Sequence, residues 1–144
     1  MAIEVYTEEI LLKQLNNKEL KKLADDFKQY KENLSGDIFG FKIGNPNFGK
    51  DEPLTQPHQI RGILSKVHFK PNVPRDALKK WQIAINRGQV PISDHILVYC
   101  SGKKNKNTYL LIDLLRPNGH LKLKDFERLL ELKSNFADPF RIEF

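Results

Sequence analysis

Apolar residues along this chain recur in two rhythms, and the change from one to the other marks out its elements. Between Ser93 and Pro117, two apolar runs, Ile96 to Cys100 and Tyr109 to Leu115, flank a loop rich in glycine, lysine and asparagine. β-branched and aromatic residues bounded by turn formers predict a β-hairpin. In the second run Leu110, Leu111, Ile112, Leu114 and Leu115 alternate poorly with polar residues. That pattern belongs to a strand covered on both faces, at the centre of a sheet. A buried helix segment reads similarly, but the run is too short for one and Pro117 stops it.

Towards the N-terminus, Ile3 and Val5 alternate with Glu4, predicting a short strand, and Glu8 to Leu15 predicts a helical turn or two. Asn16 is a good N-cap, with Glu19 placed to complete a capping box. From there Leu20, Leu23, Ala24, Phe27 and Tyr30 recur at helical spacing. Ser35 and Gly36 end that helix, and Asp37 to Gly40 reads as a compact turn. Residues 41 to 60 hold three prolines and two glycines, which predicts an ordered loop rather than an element. Arg61 to Phe69 reads as a strand with Ile63, Ser65, Val67 and Phe69 on one face and Leu64, Lys66 and His68 on the other. Lys70 is next in that second row before Pro71 disrupts it.

Arg75 to Arg87 has helical spacing in Ala77, Leu78, Trp81 and Ile85, with Gly88 as its C′ residue. Pro117 to His120 predicts a tight turn, and Leu121 to Phe136 an amphipathic helix with Leu123, Phe126, Leu129, Leu130 and Phe136 toward the core. After Pro139, Phe140 to Phe144 alternates and reads as a terminal strand or extended tail. Phe140, Ile142 and Phe144 would face inward, leaving Arg141 and Glu143 opposite. Helices, then an antiparallel sheet, then a closing helix make an α+β layout.

Composition narrows the picture. A chain of 144 residues is one domain, 1–144, with room for a real core. It carries 24 Lys and Arg against 18 Asp and Glu, a net charge of +6. Such a balance suits a polyanionic partner, nucleic acid or acidic protein, although surface charge that merely solubilises reads the same. Cys100 is the single cysteine, which rules out a disulfide framework or thiolate metal cluster and fits a reducing compartment. Acidic residues stand where a secretory signal would be basic, and no apolar stretch reaches membrane-spanning length, so the expectation is a cytoplasmic protein that binds no membrane. The four histidines show no zinc-ligand spacing, and there is neither a phosphate-binding glycine loop nor a Gly-x-Ser-x-Gly elbow.

Several blocks, taken together, resemble the YafO family of bacterial toxins from type II toxin–antitoxin modules. They are Leu23-Ala24-Asp25-Asp26-Phe27 with Tyr30-Lys31, Gly36 to Gly40, Val67-His68-Phe69, Leu97 to Cys100, Leu110-Leu111-Ile112 running to Arg116-Pro117 and His120, and Phe136-Ala137 with Phe140-Arg141. The blocks span roughly residues 10 to 144. The resemblance implies a RelE-like small RNase fold, with an antiparallel sheet packed on N-terminal helices and a C-terminal helix and terminal strand. It further implies ribosome-dependent cleavage of translated mRNA without a metal or other cofactor, inhibiting translation, and a cognate antitoxin encoded nearby. One departure stands out. Family members carry an Arg-Thr-Ser/Asn-Asp segment before the Leu-Val-Tyr strand, whereas here Pro91-Ile92 precede Ser93-Asp94, so the role of that arginine is not carried over.

Metal-free RNA cleavage needs the 2′-hydroxyl deprotonated, the leaving 5′-oxygen protonated and the phosphorane charge stabilised. His68 is the first candidate for proton transfer, since imidazole titrates near neutrality and Lys66 neighbours it; the bland reading is a histidine capping sheet or core. His120 follows a strand through a turn, where loops commonly place working groups, or simply bonds backbone there. Asp94 and His95 pair as a proton relay or are solvated strand-entry residues. Tyr99 is a core tyrosine or a phenol that stacks a base. Arg141 grips the scissile phosphate or pairs with a surface carboxylate. Lys66, Lys70, Lys103, Lys104 and Lys106 are candidates for RNA and ribosome phosphates, or form ordinary solvated charge. Two other function classes stay open: a non-catalytic RNA- or ribosome-binding module, and a ParE-like toxin acting on a topoisomerase.

Overall fold

The computed structural model describes residues 2–34 and 43–144. The expected helix end at Ser35-Gly36 and the turn at Asp37 to Gly40 lie outside the described residues. Five strands form one sheet in the order β1-β5-β4-β3-β2: β1 Glu4–Thr7, β2 Phe48–Pro53, β3 Leu64–Phe69, β4 Ile96–Ser101 and β5 Thr108–Leu115. The hairpin predicted at Ser93 to Pro117 is β4–β5, and β4 is the middle strand. Its residues from Ile96 to Cys100 are all buried, as a strand covered on both faces requires.

The two covers are helical. Helix α1, Asn17–Asn33, lies on one face, where Leu23, Phe27 and Tyr30 meet Phe48, Val67, Leu97, Tyr99, Leu111 and Leu114. The Asn16 capping box forms as predicted: Asn16 Oδ1 accepts from Glu19 N–H at 2.8 Å, and Glu19 Oε1 accepts from Asn16 N–H at 3.1 Å. A 3₁₀ turn at Glu9–Lys13 links β1 to α1. Gln14 then takes over the pairing that β1 leaves off, donating to Leu114 C=O at 2.7 Å and accepting from Leu114 N–H at 3.2 Å. The opposite face is covered by α4, Phe126–Leu132, and α5, Asp138–Glu143, joined by a π turn at Lys133–Ala137. There Leu129, Leu132, Ala137 and Phe140 pack on Leu64, Ile96, Val98, Cys100 and Ile112. Helix α2, Arg75–Asn86, buries Trp81, whose Nε1–H donates to Pro46 C=O at 2.8 Å.

Four expectations are corrected. The sheet is mixed rather than antiparallel, because β1 pairs parallel to β5; the direction of a lone edge strand has no local sequence signal. Residues 41 to 60 include an element, β2, which pairs antiparallel with β3. Its breakers are compatible with an edge: Pro53 ends the strand, and Gly49 fits where a Cβ would lie 2.0 Å from Pro91 O. The amphipathic helix over 121 to 136 is broken. A short α3, Gly119–Lys122, starts inside the predicted turn, and Asp125 caps α4 afresh by accepting from Arg128 N–H at 3.2 Å, leaving Phe126 half-exposed. Finally, the C-terminal segment is helix, not strand. Pro139 sits in the first turn of α5, where no backbone N–H is needed, and Ile142 faces solvent while Phe140 is buried.

Candidate catalytic site at one end of the sheet

The end of β3, the entry to β4 and the turn leaving β5 meet at one rim of the sheet, since His68 pairs with Ile96 and Ile96 with Leu115. After Leu115 the chain turns through Asn118, at φ 58°, and Gly119 N–H donates to Asp94 C=O at 2.7 Å. Only glycine fits there, because a Cβ would lie 2.6 Å from that carbonyl oxygen and 2.7 Å from Ile96 Cγ1. The turn therefore lays His120 directly on Asp94. Oδ1 of Asp94 accepts from the His120 backbone N–H at 2.9 Å and lies 2.7 Å from Nδ1. With Nδ1–H donating to the carboxylate, Nε2 is left free to exchange a proton. Both side chains are about half exposed.

His68 lies underneath, its ring centroid 5.2 Å from that of His120, and is only 3% exposed. Its Nδ1 is bracketed by Ser93: the Ser93 N–H donates to it at 2.9 Å, and the Ser93 carbonyl oxygen is 2.7 Å away. Nδ1 thus finds a backbone partner whichever protonation state the ring adopts. Burial holds the His68 pKa below its ordinary value, and the nearby His120 and Lys66 push the same way against the Ser93 contact. For Asp94, burial pushes the carboxyl up, but hydrogen bonds from the His120 backbone and ring outweigh it and hold the pKa low. One pleat along β3, Lys66 Nζ is 3.3 Å from Glu52 Oε1. Burial raises the Glu52 pKa, yet the Lys66 hydrogen bond and charge win and leave it lowered. A cleft of about 350 Å³ opens beside this pair, lined also by Gln56, Leu123 and Lys124.

The remaining candidates do not join this group. Arg141 is carried by α5, and its Nη1 donates to Ser101 C=O at 3.0 Å, so it belongs to the far end of β4, roughly 17 Å from Ile96 at the usual rise of a strand. Lys103, Lys104 and Lys106 lie in the hairpin loop at that same far end, where the Lys104 and Asn105 N–H groups hold Phe144 C=O at 3.0 and 2.7 Å. The expected convergence of Arg141 with His68 and His120 is therefore not what the fold builds. Lys70 lies past the end of β3 and lines cavities with α1 and α2 residues instead of extending the Lys66–His68 row. His95 points to the α1 face and is buried, with Nδ1 lacking a partner among the described residues; burial and then Arg116 hold its pKa low.

Tyr99 also belongs to the α1 face, because the pleat that sets Val98 opposite Lys66 sets Tyr99 opposite Ser65. Its hydroxyl donates to Asp51 Oδ1 at 2.5 Å, while Lys31 Nζ lies 2.7 Å from Asp51 Oδ2 and 3.0 Å from the Tyr99 oxygen. Tyr30 OH donates to Asp51 Oδ2 at 3.0 Å. Lys31 Nζ also stands 4.9 Å from the Tyr99 ring centroid and 5.2 Å from that of Tyr109. Burial and the Asp51 charge push the Tyr99 phenol well above its ordinary pKa. This cluster ties α1 and β2 to the sheet.

Ser93, Glu52 and Lys124 are site neighbours that sequence reasoning did not single out. Ser93 was adjacent to the Asp94-His95 pair, but Glu52 sat in the breaker-rich stretch read as loop, and nothing local marked its pairing with Lys66.

The family profile described as Toxin YafO, type II toxin–antitoxin system, matches residues 25–142. The chain belongs to the YafO toxin family. The matched span includes His68, Asp94 and His120 together with the strands that position them. No curated protein and no solved structure matches the chain. As a type II toxin of the YafO family, it implies an antitoxin partner. Among the described residues, no helix is long and apolar enough to cross a membrane, and no group of three or more His, Cys, Asp or Glu converges as a metal site.

Proposed function

We propose that this YafO-family toxin is a metal-independent endoribonuclease of RelE-like kind that cuts translated mRNA on the ribosome. The observation that carries the reading is the half-exposed His120 imidazole, oriented by Asp94 at 2.7 Å and set against the buried His68 at 5.2 Å between ring centroids. A ring held by a carboxylate through Nδ1 presents Nε2 in one fixed tautomer, the arrangement of a general acid–base. His120 is then the proton-transfer group at the ribose 2′-hydroxyl or the leaving 5′-oxygen. Asp94 and His68 act through it as positioning residues, and Lys66 supplies positive charge for the phosphorane. One solvent-reachable imidazole accounts for one of the two proton transfers. The ribosome supplies the rest of the geometry, which gives ribosome dependence a physical meaning. Lys103, Lys104 and Lys106, at the far end of the sheet, are assigned to ribosomal RNA phosphates rather than to the scissile one.

Primer extension on transcripts after induction tests this. Cuts within translated codons that vanish in His120→Ala, with growth restored and the protein still folded, support the reading. Intact transcripts on ribosomes that retain the protein would make it a non-catalytic binder, and DNA-damage signalling would point to a topoisomerase.

A further inference from the structure

Around the rim from the imidazole pair, on the α1 face, a cavity of about 230 Å³ opens between the first turns of α1 and the end of β3. Phe69, Lys70, Asn72 and Arg116 line it, with Lys22 and Asn47 from across the opening. The carboxylates on its border are already engaged. Asp26 Oδ2 accepts from Lys22 Nζ at 2.8 Å and from Asn47 Nδ2 at 2.9 Å, and Glu19 belongs to the capping box. Lys70 and Arg116 have no carboxylate partner among the described residues, and the exposed Asn72 amide makes no hydrogen bond there. The cavity is thus an apolar wall, two free cations and a free amide in a small volume. It is also adjacent in chain to the site just described: Phe69 follows His68, and three residues separate Arg116 from His120.

We propose that this cavity receives a ribonucleotide next to the scissile bond, its base against Phe69 with an edge read by Asn72, and its phosphate held by Lys70 and Arg116. The inference rests on the nuclease reading and names the subsite through which that enzyme selects where it cuts. A base–phosphate unit uses all four groups. An acidic protein side chain would answer the two cations and leave the Phe69 wall and the Asn72 amide unused. Because His120 is not among the residues that line the cavity, a strand occupying both must bend over the sheet rim between them.

The test uses the full chain and the four ribonucleoside 3′-monophosphates as probes, followed by NMR of the Asn72 side-chain amide and the Arg116 Nε–H. Saturable shifts are expected, with affinity reduced at least about tenfold in Arg116→Gln and in Phe69→Leu and unchanged in Lys79→Gln on α2. Asn72→Ala, at an exposed position that carries no fold burden, is expected to lower affinity for the preferred base and, on translating ribosomes, to redistribute cuts among codons. Absence of saturable binding, or binding indifferent to Arg116→Gln and Asn72→Ala, overturns the proposal. Weakened antitoxin capture by Arg116→Gln with no nucleotide binding does so too, and makes the cavity a protein-docking site. Nucleotide binding that follows the variants in a wild-type protein that cuts no RNA upholds the pocket and sinks the nuclease reading instead.

Discussion

Replacing Asp51 by alanine isolates what holds α1 to the sheet. The carboxylate takes the Tyr99 hydroxyl at 2.5 Å, the Tyr30 hydroxyl at 3.0 Å and Lys31 Nζ at 2.7 Å. Its removal leaves the buried Tyr99 hydroxyl without that acceptor, a loss of roughly 1–3 kcal/mol, and strips the charge partner from an ammonium whose side chain is 15% exposed. Breaking a buried ion pair from one side costs about 3–5 kcal/mol, and because Asp51 itself keeps 18% exposure the lower end applies, about 3 kcal/mol. Lys31→Met removes less, since Asp51 retains both phenol donors; about 1–2 kcal/mol is expected. Urea unfolding measures both, and the midpoint is expected to shift with the slope unchanged. An Asp51→Ala loss below about 1 kcal/mol, or one no greater than that of Lys31→Met, would refute the claim that this cluster is a desolvated staple.

Asp94→Asn keeps the shape of the site but removes the carboxylate charge that holds the His120 ring and favours its protonated form, and it offers an amide N–H that can face Nδ1 instead, so cleavage is expected to fall by about 10²–10⁴ with melting temperature little changed; equal cleavage would remove Asp94 from the mechanism. His68 and His95 have pKa values lowered in the fold, chiefly by burial, so the unfolded chain binds protons more readily than the folded one. Their contribution is complete above about pH 6.5 and is lost as pH falls through the folded values; stability measured by urea at pH 5 is therefore expected to be below that at pH 7.5, with a shallower fall in His68→Gln. Arg128→Met leaves Asp113, fully buried and bonded to Arg128 Nε at 3.0 Å, as an uncompensated charge; a loss of about 3–5 kcal/mol in thermal or urea unfolding is expected, and a neutral effect would refute the pairing as a source of stability.

What the sequence determined by itself is everything local. The Asn16–Glu19 box starts α1, the doubly apolar runs make β4 and β5 the covered middle of the sheet, and the Pro-Asn-Gly turn delivers His120, because each depends on residues within a few positions of one another. The period of two along β3 likewise places Lys66 and His68 in one row from their spacing alone. Tertiary structure alone decided the rest. The direction of β1 and the existence of β2 depend on distant partners, and Pro139 was compatible with either a break or a helix start until Phe140 found its place on the sheet. The same holds for the site: Asp94, His120 and His68 meet because three strands end at one rim, whereas Arg141 is drawn by Ser101 to the opposite end. Spacing along a chain carries no information about which end of a sheet a long-range contact will choose, since that choice is made by burial summed over the whole core.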